Sequence, residues 1–161
     1  MDLDKLIELL RSITDATTRR GAVRTLVLNE AFYNKAIIDL LETKAISGCT
    51  ADRNKLILEL RTDSRKVKDV LDIDRTAFDK VKGAIWRLVA MDPPAPEQEA
   101  ITDERFAALA ETDLYHYTMN RIEVLQTVVR LQLQHEADIR FTIRIANLRR
   151  ATRALIERMR G

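Results

Sequence analysis

The chain has 161 residues, enough for one domain or two small ones, and its 46% apolar and 32% charged residues describe a well-solvated globular protein rather than a disordered one. A formal net charge of +2 is too small by itself to point to nucleic acid, and four Gly and three Pro suit an all-helical chain with few tight turns. Cys49 is the only cysteine, which excludes an intrachain disulfide and fits a reducing compartment.

The first residues, Met1-Asp2-Leu3-Asp4-Lys5, are acidic and amphipathic and lack the apolar core of a signal peptide. No run approaches the roughly eighteen apolar residues that a membrane span needs. The expectation is a cytoplasmic chain with no membrane partner. Leu3, Leu6, Ile7, Leu10 and Ile13 mark a first amphipathic helix, with Thr14 or Asp15 placed to cap the next one. Gly21 is expected to interrupt that helix, and Ala22, Val23, Leu26 and Val27 start a second apolar stripe. Asn34 is expected to cap a third helix that turns Ile37, Ile38, Leu40 and Leu41 inward and ends before Ser47-Gly48. Phe32 and Tyr33, between the second and third helices, read as core anchors.

Thr50 or Asp52 opens a fourth helix through Leu56, Ile57 and Leu60, and Thr62-Asp63-Ser64 stops it and caps a short fifth over Arg65 to Leu71. After a turn at Asp72-Ile73-Asp74, a sixth helix carries Ala77, Phe78, Val81, Ile85, Trp86, Leu88 and Val89 on one face. Six short helices in about ninety residues predict a compact domain over 1–92 with its own core. Asp92-Pro93-Pro94-Ala95-Pro96 then denies the backbone its donors, so 93–96 reads as a linker.

From Ile101 to Arg160 there is neither glycine nor proline. The apolar residues from Leu114 to Leu133 fill a broad arc, and a second stripe runs through Phe141, Ile145, Leu148, Thr152, Leu155, Ile156 and Met159. On one straight helix the two stripes would point roughly 150° apart. A bend near His135-Glu136-Ala137-Asp138 resolves this and predicts a C-terminal hairpin of long helices over 97–161. A rival period also exists: Val129, Leu131, Leu133 and Ile139, Phe141, Ile143, Ile145 alternate with polar residues as strands do. Its loop lacks Gly and Asn, and nothing else supplies a third strand. One neighbouring helix cannot cover the wide arc. The residues Leu114, Ile122, Leu125, Val129, Phe141, Ile145, Leu148 and Leu155 are therefore expected to pair with a second copy of the chain.

Charge is unevenly spread. Asp92 to Glu123 holds eight acidic and two basic residues, whereas Asp138 to Gly161 holds seven arginines against Asp138 and Glu157. Either an acidic and a basic helix face each other, or the basic face meets phosphate or an acidic partner.

Val67 to Val81 has the apolar spacing of a short helix, a tight turn and a second helix. It resembles helix-turn-helix DNA-binding units, with Arg75, Thr76, Lys80 and Lys82 as the residues that would meet DNA. It departs from that pattern at Lys68, where a small residue usually packs, and at Asp72, where glycine is common. Arg130 and His135, four residues between them, match the spacing in the helical ribonucleases known as HEPN domains, which would make these two catalytic. The polar residue usual after that arginine is Leu131 here. Asp113 and His116 lie at i and i+3 as in helical di-metal sites, but the second such pair is absent. Neither a zinc-ligand spacing nor a phosphate-binding or dinucleotide glycine motif occurs, so no metal or cofactor is expected. The first expectation is a non-enzymatic adaptor that binds itself and another protein. A DNA-binding regulator stands second and the ribonuclease third.

Overall fold

The computed structural model describes residues 2–71, 99–131 and 141–161. It is all-helical, with no strand among the described residues. The order is α1 (Leu3–Ser12), α2 (Ala16–Leu41), α3 (Lys44–Ser47), α4 (Thr50–Glu59), α5 (Asp63–Leu71), α6 (Asp103–Ala107), α7 (Glu111–Arg130) and α8 (Phe141–Arg160). The sixth helix expected from sequence, Trp86 with it, and the linker at 93–96 lie outside the described residues. Val129, Phe141 and Ile145, which alternate as strand residues would, are all in helices.

Two helices expected around Gly21 and Asn34 are one. Asp15 caps it: its carboxylate accepts from the Thr18 N–H at 2.7 Å and from the Thr18 hydroxyl. Those two bonds hold the Asp15 carboxyl below its ordinary value. The helix then runs unbroken to Leu41. Glycine inside a helix costs about 1 kcal/mol relative to alanine, which the burial of Val23 and Val27 just beyond it outweighs. Asn34 is no cap but a fully buried side chain in mid-helix. Phe32 is not a core anchor either; it faces outward with 42% of its surface exposed. Tyr33 is half-buried beneath the Arg61 guanidinium, 3.9 Å from its ring centroid.

The long helices α2, α7 and α8 form the frame. α8 lies between the other two and packs along both. Arg24 of α2 reaches Glu111 at the start of α7 and the Met159 carbonyl near the end of α8, while Glu42 at the other end of α2 meets Arg149. Hence α8 runs antiparallel to α2. Arg158 donates to the Ala107 and Leu109 carbonyls ahead of α7, so α7 and α8 are antiparallel too. The shorter α4 covers α7, and α5 rests on α2 with α1 against it.

One apolar core joins the segments on either side of the proline-rich stretch, from Ile7, Val27, Ile38 and Val67 to Leu114, Leu125, Leu148 and Leu155. The wide arc of α7 is thus covered inside the chain, by α4 on one flank and α8 on the other. All eight residues that the sequence assigned to a second copy are buried in the monomer: Leu114, Ile122, Leu125, Val129, Phe141, Ile145, Leu148 and Leu155. They are core, and the reason for pairing them with another chain is gone.

Three buried amides tie irregular backbone to this frame. Asn34 donates to the Arg61 carbonyl and accepts from the Arg61 N–H, both at 2.8 Å. Gln126 of α7 donates to the Leu60 and Ile57 carbonyls at the end of α4. Asn147 of α8 accepts from the Ile101 N–H and donates to the Glu99 carbonyl. A helix end leaves carbonyls without partners, and buried backbone must be satisfied somewhere, so these side chains do what caps do at a surface.

Candidate functional site

Three features stand apart from ordinary core and surface. The first is a buried polar chain. Glu30, on the inner face of α2 and only 6% exposed, points at the start of α5. Its carboxylate accepts from the Ser64 N–H at 2.9 Å and from the Ser64 hydroxyl at 2.5 Å. The same Ser64 oxygen lies 2.9 Å from the Tyr115 hydroxyl of α7. Because the one hydroxyl proton of Ser64 goes to the carboxylate, Tyr115 is the donor to Ser64. Burial pushes the Glu30 carboxyl above its ordinary value and Asp63 adds repulsion, against the bonds from Ser64 that lower it.

Beside it, Arg65 is buried and reaches α7. It pairs with Glu123 at 2.8 Å and donates to Asn120. It is thereby turned away from Glu30, and among the described residues no cation reaches that carboxylate.

The second feature is a cleft of about 320 Å³ between α2, α5, α7 and α8. Its walls carry Arg20, Arg24, Lys68, Glu111, Tyr115 and His116. Arg24 and Glu111 bind each other at 2.7 Å. Lys68 lies over the Tyr115 ring, 4.5 Å from its centroid, and His116 meets that ring edge-on. Tyr115 therefore links the cleft to the Glu30 chain, its ring in the wall and its hydroxyl in the interior.

The third is on the surface where α2 and α8 run side by side. Phe32, Ala36 and Leu40 follow each other at four-residue steps on the outer face of α2, all exposed, Leu40 to 48%. Such a ridge is the shape that interdigitates with another helix. Along its α8 side run Arg149, which pairs with Glu42 at 3.2 Å, and Arg160, whose guanidinium lies 5.7 Å from the Phe32 ring centroid.

The basic C-terminal helix meets the acidic segment only in part. Arg150 lies 3.7 Å from Asp103, but Arg149 turns to α2 and Arg158 to main-chain carbonyls.

Of the residues proposed from sequence to touch nucleic acid, Arg75, Thr76, Lys80 and Lys82 lie outside the described residues. The first helix of that motif is α5, whose Arg65 is buried rather than open to DNA. Arg130 is exposed at the last turn of α7, and His135 lies outside the described residues. His116 is buried in the cleft wall. Among the described residues no three His, Cys, Asp or Glu side chains gather as a metal would require, and no helix is long and apolar enough to cross a membrane.

Glu30, Ser64 and Tyr115 were not singled out by sequence reading. The only available signal was a carboxylate at position 30 amid the inward positions Val23, Val27, Asn34 and Ile38 of one helix, visible once Ala16–Leu41 is read as continuous.

Comparison with protein families, with curated proteins and with solved structures finds no match to this chain.

Proposed function

We propose that this chain is a non-enzymatic helical interaction protein that docks a helix of another protein on the ridge of α2 and the arginine rim of α8. In this reading α7 and α8 are the arms of a C-terminal hairpin whose apolar residues build the core, so the partner is met by α2 instead. The observation that carries it is the exposure of Phe32 and Leu40 on a single ridge bordered by Arg149 and Arg160. Two large apolar side chains on one face are dispensable for a core that is closed without them. Covering each contributes about 1.5 to 3 kcal/mol to an interface, and aromatic residues with arginine are the types that dominate such contacts.

The test is a photo-crosslinking residue placed at Leu40 in the cells that make the protein, with Glu8 on α1 as the control position. A discrete adduct at Leu40, absent at Glu8 and lost on Phe32→Asp, is the expected result. No adduct, or one that survives Phe32→Asp, would sink the reading.

A further inference from the structure

Charged carboxylates are seldom found in an apolar interior without a cation, because the lost hydration is not recovered from neutral donors alone. Glu30 is such a case. It sits between α2 and α5, held by the backbone and hydroxyl of Ser64. The charged and titratable groups around the chain do not neutralise it. On α5, Asp63 repels it, Arg65 is committed to Glu123 and Asn120, and Lys68 faces the ring of Tyr115. On α7 the chain reaches the Tyr115 hydroxyl, and His116 meets that ring edge-on.

We propose that the Glu30–Ser64–Tyr115 chain is a proton-responsive clasp, in which uptake of one proton by Glu30 reverses both side-chain hydrogen bonds. With Glu30 charged, the Tyr115 O–H donates to Ser64 and the Ser64 O–H donates to the carboxylate. A proton taken from solvent onto Glu30 lets its own O–H donate to the Ser64 oxygen. Ser64 then donates to the Tyr115 oxygen, and the tyrosine proton is no longer committed to Ser64. The Ser64 N–H keeps donating to the carboxyl in both states, so α2 and α5 stay joined. What changes is the charge in the interior and the role of the tyrosine whose ring walls the cleft.

The sign is set by linkage. A carboxyl whose folded value lies above its unfolded value binds the proton more tightly in the folded chain, so stability falls as pH rises from the ordinary glutamate range through the folded value. The clasp is therefore tighter on the acid side.

The test uses the full chain. Side-chain carboxyl carbon signals are tracked by NMR as pH is lowered from about 8 to about 4, a window that spans ordinary and raised glutamates, and urea midpoints are taken over the same range. Glu30 is expected to titrate above the exposed glutamates, and Tyr115→Phe is expected to move it further up: the variant removes a bond in both states, but the one in the charged state is polarised by the carboxylate and is the stronger of the two. The wild-type urea midpoint should gain on Glu30→Gln as pH falls, because glutamine already presents the donor and acceptor of the protonated acid. Glu30 titrating with the exposed glutamates overturns the proposal, as does an unmoved titration in Tyr115→Phe. Both are read without the Gln variant, so the test stands even where that variant fails to fold.

Discussion

Replacing Asn34 by leucine separates hydrogen bonding from volume. Leucine nearly matches the asparagine side chain in shape, so the site on α2 stays filled and no cavity forms. What is lost is the pair of 2.8 Å bonds that close on the Arg61 N–H and carbonyl between α4 and α5. Each neutral bond contributes about 1 kcal/mol net, but a polar group left buried without a partner costs about 1 to 3 kcal/mol. Arg61 has an exposed side chain, so water recovers part of that cost on its side of the link. The expected loss is about 2 to 4 kcal/mol. With a urea slope of about 2 kcal/mol per molar, the midpoint should fall by roughly 1 to 2 M. Unfolding is monitored by far-ultraviolet circular dichroism, and hydrogen exchange at the Arg61 amide should quicken in parallel. A Leu variant within about 0.5 kcal/mol of wild type, the ordinary range for surface changes, would refute the claim that Asn34 clamps this link.

Gly21→Ala should stabilise by about 0.4 to 1 kcal/mol, because Gly21 is helical and an added Cβ meets nothing within 4 Å; a lower melting temperature would show that the glycine serves something else. Leu125→Ala is expected to cost about 2 to 5 kcal/mol as a core truncation, whereas Leu131→Ala should change little, since Leu125 is buried and Leu131 lies open at the end of α7. Equal urea midpoints for the two variants would contradict this packing. Asp15→Ala should fray the start of α2 at neutral pH and do less in acid. A lowered carboxyl contributes stability above its unfolded value and loses it as pH falls through the folded value. Helicity measured across pH in both proteins checks that sign, and a deficit that grows in acid would reverse it.

The all-helical class was determined by sequence alone, through stripes at helical spacing and the scarcity of Gly and Pro. So was a cap at Thr14 or Asp15, because a short acceptor two to three residues ahead of free N–H groups acts locally, and the structure gives the place to Asp15. Local signals misled where long-range packing outweighed them: Gly21 and Asn34 look like a break and a cap, yet α8 along α2 keeps the helix continuous between them. The alternating stretch around 129–145 also fits a strand period, and its described ends are helical because they pack against one another as long helices. Which apolar surface ends up inside was decided by tertiary structure only. The arc of α7 is the same whether a second chain or α4 and α8 cover it, since amphipathicity says that a face is buried but not by what. For the same reason Glu30, Ser64 and Tyr115, separated by 34 and 51 residues, carry no common mark in the sequence. Their hydrogen bonds exist because the core shared by three helices, each folded for its own local reasons, brings these polar atoms within 3 Å of one another.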